Sequence, residues 1–405
     1  MSLTAPQSPE TFKSAAAAAL LALQHATRNV LEQVAPAGTN SLAISRLMQV
    51  DKSLSWRIFR FATTPDVFAA SAHLPGDAGL RIFARAARAG TVRLEAVEAL
   101  ELALADLDAL VRVHARNRAS FRAMLAQVSD PGGEDPRVVE YRKGAYVANA
   151  AIWGIEAATK LKCVFITRGS TADAVDIGVI GGCIGLSRVR SGVSWPLFNR
   201  RLTHRGSSVE AHAQPLDPTT AHDALPLLGR CSTIRPEELR ITHHGHEMRC
   251  WLPAGDVGRN GTVDCLFGER YRDVKPSPEG NRARVIHVAH RHDIPSERSL
   301  LDIWVDGGCA LACDPAARLV STLVEAPETS SLDVSLRRLP FESHAQPIDP
   351  RSADDPGIPG YGTLVTDAMQ WLGVAPGHFT GHRLAVRYPT LSTELVMSVD
   401  GGPGE

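Results

Sequence analysis

The stretch SLAISRLMQVDKSLSWRIFR, residues 41–60, decides the fold of the N-terminal part of the chain. Apolar residues recur at helical spacing on both sides of Gln49-Val50-Asp51, which predicts short helices at about 41–48 and 52–63 joined by a tight turn. The Asp51 carboxylate can accept hydrogen bonds from the free backbone N–H groups that begin the second helix. The pattern therefore predicts a helix-turn-helix within about residues 38–62.

The helix-turn-helix prediction divides the side chains of this segment into a group that packs between the two helices and a group that is exposed. Residues of suitable size to fill the crossing between the two helices are Ala43, Leu47, Val50, Leu54, Ile58 and Phe59. The exposed face of the second helix would carry Lys52, Ser53, Ser55, Trp56, Arg57 and Arg60. Residues 46–60 contain four basic residues and one acid, which gives this short segment a charge of +3. Such side chains suit contacts to phosphates and hydrogen bonds to base edges.

The segment resembles the helix-turn-helix of bacterial repressors of the lac repressor type. In those proteins a small residue, a Gly, a Val and a Ser lead into a recognition helix that carries an Arg. The matching run here is Met48-Gln49-Val50-Asp51, with Arg57 in the second helix. Gln49 departs from the pattern, because Gly is favoured where a turn needs a positive φ angle. The resemblance covers about 20 of the 405 residues and implies DNA binding by the second helix.

The remaining residues of the N-terminal third also have helical periodicity. An amphipathic helix is predicted at 9–34, and a long one at about 92–128. The long helix carries an apolar stripe formed by Val97, Leu100, Leu104, Leu107 and Val111. This stripe either joins two chains in a homodimer, as half-site DNA recognition requires, or packs inside a single helical bundle. Acids of the same helix, at 95–108, could instead pair with Lys52, Arg57 and Arg60 and cover them.

After the Pro- and Gly-rich stretch Asp130–Pro136 the pattern changes from helical to strand-like. A helix is predicted at about 137–160, and another at about 364–372. Alternating segments that predict strands are Cys163–Thr167, Met248–Leu252, Thr262–Phe267, Ala283–His290, Leu301–Val305, Leu332–Leu336 and Glu394–Val399. The expected fold is α+β, with a helix-turn-helix domain at 1–66, a bundle or dimerisation region at 67–130, and a strand-rich domain at 137–405.

Composition limits the partners. The formal net charge of the whole chain is −1, while residues 1–130 carry 14 basic and 11 acidic residues, so any DNA binding depends on a local patch. The seven cysteines are scattered singly, which is typical of a reducing cytoplasm. No apolar run reaches the length of about 18 residues that a transmembrane helix needs. We therefore expect a cytoplasmic protein without membrane contacts.

Motifs for metal binding and catalysis are weak. The histidines cluster at 243–247 and 287–293, and His290 and His292 would share one face of a strand, but neither cluster has an established zinc spacing. The glycine-rich run at 178–185 matches no nucleotide-binding motif, and we expect it to serve close backbone packing. Cys183 within that run and Trp153 are expected to be buried core residues. We predict no metal site, no cofactor and no catalytic residues.

Three functions remain open at this point. The first is a DNA-binding transcriptional regulator that dimerises and has a C-terminal domain for an unknown ligand or protein partner. The second is an enzyme with a histidine-containing site in the C-terminal domain. The third is a structural or assembly protein. The turn and the basic second helix favour the first, and the lack of a catalytic motif disfavours the second.

Overall fold

The chain divides into two compact units, residues 1–138 and residues 139–405, which we call the helical unit and the strand-rich unit. The computed structural model describes residues 9–35, 40–128, 136–201, 213–222, 224–244, 247–279, 282–314, 316–323, 337–339, 341 and 343–401. The expected linker before Pro136, the expected strand Leu332–Leu336 and His246 lie outside these ranges. Helices followed by mixed sheets confirm the predicted α+β class.

The helical unit contains the two predicted short helices at the predicted residues. Its helices are α1 (Pro9–Val34), α2 (Ser41–Met48), α3 (Lys52–Thr63), α4 (Val67–Ser71), α5 (Asp77–Ala89), α6 (Leu94–His114) and α7 (Arg118–Val128). The next helix, α8 (Pro136–Trp153), spans the boundary and leads into the first strand. The apolar faces of α1 to α7 share one hydrophobic core, so the described residues of the two segments predicted as separate regions pack together.

α1 fixes the end of α3 by polar contacts. The Gln24 side chain donates hydrogen bonds to the backbone carbonyls of Phe61 (2.9 Å) and Thr64 (2.8 Å). The Arg28 guanidinium donates to the Ala62 carbonyl at 2.9 Å. The last carbonyls of a helix have no partner within the helix, so these bonds stabilise the α3 C-terminus and orient α3 on α1.

The predicted long helix at 92–128 is in fact two helices. It breaks between His114 and Arg118, and the Asn117 side chain begins α7 by accepting a hydrogen bond from the Ser120 N–H at 2.8 Å. Of the two roles left open for the apolar stripe, the structure supports packing inside a single helical bundle. Val97, Leu100, Leu107 and Val111 are buried within their own unit, and Leu104 packs against the same core. The stripe is thus the internal face of a bundle helix.

The strand-rich unit contains three sheets. Its strands are β1 (Ile155–Arg168), β2 (Val175–Arg188), β3 (Trp195–Arg201), β4 (Gln214–Pro215), β5 (Arg240–His244), β6 (Glu247–Leu252), β7 (Val263–Val274), β8 (Ser277–Glu279), β9 (Arg282–His292), β10 (Ser296–Asp306), β11 (Ala312–Cys313), β12 (Arg318–Ser321), β13 (Arg338–Leu339), β14 (Gln346–Ile348), β15 (Phe379–Arg387) and β16 (Thr393–Asp400). One helix, α9 (Tyr361–Trp371), lies among them in sequence.

The sheets form layers around the long strands β1 and β10, which pair in parallel. The seven-stranded sheet has the order β14-β15-β10-β1-β2-β7-β4, the six-stranded sheet runs β13-β12-β16-β9-β8 with β11 on β16, and the third is β3-β6-β5. One face of the seven-stranded sheet packs on α9 through residues such as Leu161 and Phe165. Its other face packs on the six-stranded sheet through Val164 and Ile166. The alternation along β1 therefore decides which layer each side chain enters.

Two details of the strand-rich unit bear on the sequence predictions. Gly182 has a φ of 154°, and a Cβ there would lie 2.0 Å from the Cys265 carbonyl oxygen, so the glycine-rich run does serve close packing of β2 on β7. The prediction for Trp153 is wrong. Its side chain is 51% exposed at the end of α8 and meets Trp195 edge to face, because α8 stops at this residue and presents that side to solvent.

Candidate nucleic-acid interface and candidate ligand cavity

The turn between α2 and α3 has the geometry that its sequence implies. Gln49 has φ 54° and ψ 41°, a left-handed conformation that glycine adopts at lower cost. Ser45 holds this turn closed: its carbonyl accepts from the Val50 N–H at 3.1 Å, and its hydroxyl donates to the Val50 carbonyl at 2.7 Å. These two bonds compensate for the strained residue and bring α3 onto α2.

Asp51 begins α3 as predicted. Its carboxylate accepts from the Ser53 N–H at 2.8 Å, the Leu54 N–H at 3.4 Å and the Ser53 hydroxyl at 2.6 Å. The Ser53 hydroxyl bond, followed by the backbone bonds, lowers the pKa of Asp51, so the cap stays ionised at neutral pH. The negative charge lies at the N-terminus of α3, where the helix dipole favours it.

The structure exposes most of the predicted α3 face. Lys52, Ser53, Arg57 and Arg60 are exposed, and Trp56 is 48% exposed with one edge of its ring against His73. The prediction for Ser55 is wrong. This residue is fully buried, and its hydroxyl donates to the Ser41 carbonyl at the start of α2. Its place in the crossing follows from the helical period, because Ser55 lies three residues before Ile58 on the buried line of α3.

The crossing itself is filled in part by other residues than expected. Leu47 is 60% exposed, whereas Ile44 and Met48, one turn apart on α2, are buried with Val50 and Ile58. Leu47 therefore adds an apolar side chain to the outer surface of the helix-turn-helix. The sequence did not separate these positions because leucine and isoleucine suit either face of a short helix.

The exposed cations of α3 are not covered by acids of α6. Among the described residues, none of the acids lies within ion-pair distance of Lys52, Arg57 or Arg60. The α6 acids that do form ion pairs bind elsewhere: Glu101 pairs with Arg88 at 2.5 Å, and Asp108 pairs with Arg118. The basic stripe of α3 is thus available to an external anion.

The histidine clusters have separate environments. His290 and His292 share one face of β9 as predicted, and their ring centroids lie 5.5 Å apart. His287, on the opposite face, has its Nδ1 3.0 Å from the Ser398 hydroxyl oxygen, and His243 and His244 are exposed on β5. Within the part of the chain that the structure describes, no group of three His, Cys, Asp or Glu side chains is placed to hold a metal ion.

His290 and His292 are buried between sheets, which the sequence did not reveal. His290 Nε2 donates to the Lys160 carbonyl at 3.3 Å, so this nitrogen carries the proton of the neutral ring. Burial, with the neighbouring His292 second, lowers the pKa of His290 well below its usual value. Burial also lowers the pKa of His292, to about 4. Both rings are therefore neutral at pH 7.

A cavity of about 290 Å³ lies beside His290, between the three sheets. Its lining consists of Lys160, Leu161, Lys162, Val179, Gly181, Gly182, Leu197, Phe198, Asn199, Phe267, Glu269, Tyr271, His290, Arg291 and Asp293. Lys160 and Lys162 are two residues apart on β1, so they project to the same side. Neither lysine was predicted from the sequence as a site residue. The sequence does contain an indication of the site, because the two lysines lie two residues apart, and therefore on one face of a strand, within a mainly apolar run.

Cys183 lies next to Cys265 in the pairing of β2 with β7 and is buried as expected. Burial raises the pKa of the Cys183 thiol, which keeps it protonated and weakly nucleophilic at neutral pH.

None of the described helices is both long enough and apolar enough to cross a membrane. Comparison of the chain with protein-family models, with curated proteins and with solved structures found no match.

Proposed function

We propose that the chain is a DNA-binding transcriptional regulator of the cytoplasm whose α3 helix enters the major groove. The single observation that carries this proposal is the exposed basic stripe of α3 in a helix-turn-helix whose turn is closed by Ser45 and whose second helix is capped by Asp51. The interface would comprise Lys52, Ser53, Trp56, Arg57 and Arg60. Ser55 leaves this set because it is buried.

The spacing of the stripe supports a division of roles. Ser53, Arg57 and Arg60 are four and three residues apart and lie on one line along α3, while Lys52 and Trp56 lie on the neighbouring line. Arginine on the central line can bind a guanine edge through two hydrogen bonds, and Lys52 at the helix start suits a phosphate. The exposed Trp56 ring offers a flat apolar surface to a sugar or a base.

The test is a fluorescence-anisotropy titration of the full chain with mixed-sequence duplex DNA at two salt concentrations. We expect binding that weakens as salt rises, and Arg57→Ala or Arg60→Ala should each reduce the salt slope by about one unit. An Arg that reads a base should also cost about 1–3 kcal/mol on its preferred site. Absence of binding at low salt, or equal affinity for all proteins, would refute the proposal.

Arg112→Ala provides the matched control. Arg112 is an exposed arginine on α6, outside the helix-turn-helix, and its removal changes the net charge by the same amount. If Arg112→Ala weakens binding as much as Arg57→Ala, the interaction is a non-specific attraction to the whole unit and α3 has no special role.

We also propose that two copies bind one DNA site, since a single module makes few base contacts. The α6 stripe is internal core, so the contact between copies must use a different surface. Sedimentation of the protein–DNA complex measures the stoichiometry, and a complex of one chain with one duplex at saturation would contradict this part of the proposal. In the proposed regulator, the strand-rich unit would supply the site for a regulatory ligand.

A further inference from the structure

The cavity of the strand-rich unit has an uneven charge pattern. Three cations in or beside its wall have acidic partners. These ion pairs are Lys160–Asp293 at 2.9 Å, Arg291–Glu394 at 2.8 Å and Arg200–Glu269 at 3.0 Å. Lys162 also lines the cavity, but among the described residues no acid is paired with it. Four cations in or beside the wall therefore face three acids, which leaves an excess of one positive charge.

The surroundings of Lys162 make this charge costly. Its ammonium group donates one hydrogen bond, to the Ala289 carbonyl at 2.6 Å, and can donate two more. Removal from water lowers the pKa of Lys162. The Glu394 carboxylate, which is already paired with Arg291, opposes this effect, whereas the charges of Lys160 and Arg291 add to it. A charge that is partly removed from water and has no acid of its own within ion-pair distance destabilises a fold, and an anion bound in the cavity would reduce that cost.

The rest of the wall suits an apolar body. Val179, Leu197, Phe198 and Phe267 contribute apolar surface, and the rings of Phe198 and Phe267 stack with centroids 4.7 Å apart. At Gly181 a Cβ would meet only the Leu161 carbonyl oxygen, at 3.7 Å, so the space above this residue is open. A volume of about 290 Å³ lies at the lower end of the range of small-molecule sites.

We propose that this cavity binds a small organic monocarboxylate with an aliphatic or aromatic body, and that Lys162 binds its carboxylate. One unpaired ammonium matches one negative charge. A phosphate monoester carries about −1.5 to −2 at neutral pH and would leave an excess negative charge among the paired acids. The proposal gives a ligand class to the strand-rich unit of the proposed regulator, and its test does not depend on DNA binding.

The experiment is a calorimetric titration of the full chain with benzoate and with hexanoate, each compared with its neutral amide and with inorganic phosphate. We expect at least one of the two carboxylates to bind and to raise the thermal midpoint of unfolding. Its amide should bind at least tenfold more weakly, because the amide lacks the charge. The proposal is overturned if neither carboxylate binds, if the amide binds equally well, or if phosphate alone binds.

Two variants assign the binding to Lys162. Lys162→Met removes the charge and keeps the length of the side chain, and Lys162→Gln keeps a donor for the Ala289 carbonyl. Both should weaken carboxylate binding by about tenfold to a hundredfold. Their thermal midpoints without carboxylate show whether they fold. Lys143→Met, which removes an exposed cation of α8, is the matched control and should bind as the wild type does. Unchanged affinity of a folded Lys162 variant would refute the assignment.

Discussion

The hydrogen bonds of His292 predict how the stability of the strand-rich unit depends on pH. The Thr393 hydroxyl donates to the Thr390 carbonyl at 2.6 Å, so it must accept from His292 Nδ1, 2.9 Å away. The other ring nitrogen, Nε2, then accepts from the Ser299 hydroxyl at 3.0 Å. A neutral ring satisfies both contacts, and His292 thereby links β9 to β10. Protonation would turn Nε2 into a donor, so the fully buried Ser299 hydroxyl would have to rotate, accept from the ring and find another acceptor for its own proton.

The magnitude follows from the pKa of His292, which burial lowers from 6.5 to about 4 in the folded chain. Above pH 6.5 the ring is neutral in both the folded and the unfolded chain and contributes nothing to the pH dependence. As pH falls below 6.5 the unfolded chain takes up the proton first, so stability is lost. The loss reaches about 2 kcal/mol at pH 5 and about 3 kcal/mol near pH 4.

The assay is urea unfolding of wild type and His292→Gln at pH 7.5 and pH 5.0. Tryptophan fluorescence follows the strand-rich unit, because five of the six tryptophans lie in residues 139–405. We expect the stability difference between the two pH values to be about 2 kcal/mol smaller in His292→Gln than in wild type. His287→Gln, an exposed change on the opposite face of β9, should keep the wild-type difference. An unchanged difference in His292→Gln would refute the reasoning.

Further substitutions test packing and backbone strain by thermal or urea unfolding. Gly182→Ala should cost about 3 kcal/mol or more, because its Cβ would lie 2.0 Å from a carbonyl oxygen. Gly144→Ala on α8, with nothing within 4 Å, should instead stabilise by about 0.5–1 kcal/mol. Leu107→Ala should cost about 2–5 kcal/mol as a fully buried residue of the helical core, and a smaller cost would contradict its burial in that core. Asp302→Asn, which removes the nearer of the two buried carboxylates that pair with Arg383 and leaves only Asp355 at 3.6 Å, should cost about 1.5–3 kcal/mol, and a neutral result would show that the Asp302–Arg383 pair contributes no net stability.

Local signals predicted the elements of the helical unit well. α1, α2 and α3 begin and end at the expected residues, because Asp51 and Pro65 act within one helical turn of the ends that they define. The break between α6 and α7 was missed, although Asn117 is a good N-cap residue. The apolar period continues across the break, and periodicity alone does not show where a helix stops.

The sequence does not show whether an apolar stripe packs against a second chain or inside its own helical bundle. The α6 residues have the same spacing whether they face a second chain or their own bundle, because both surroundings remove them from water equally well. Ser55 shows the same limit for polar residues. A serine is small enough for the crossing of two helices if its hydroxyl finds a carbonyl, and here it finds the Ser41 carbonyl.

The cavity was harder to predict, because its parts are far apart in sequence. Lys162 and His290 come from strands that meet only when the seven-stranded and six-stranded sheets pack, and no local pattern encodes that meeting. Alternation placed His290 and His292 on one face correctly, but it did not say whether that face was buried. Partner strands decide burial in a sheet, whereas a helix carries its own apolar face in the sequence.

The Gln49 backbone conformation and the Lys162 charge both destabilise the fold, but only the first is offset by neighbouring residues. Gln49 holds a left-handed conformation, and the two Ser45 hydrogen bonds to Val50 stabilise the turn that requires it. Lys162 holds a partly buried charge, and the described residues offer it one carbonyl and no acid within ion-pair distance, since the Glu394 carboxylate that acts on it is paired with Arg291. A strained turn that is offset locally is explained by the fold alone. A buried charge that is not offset points to a partner outside the chain, which is why we assign the ligand site to Lys162 and not to the better-satisfied His292.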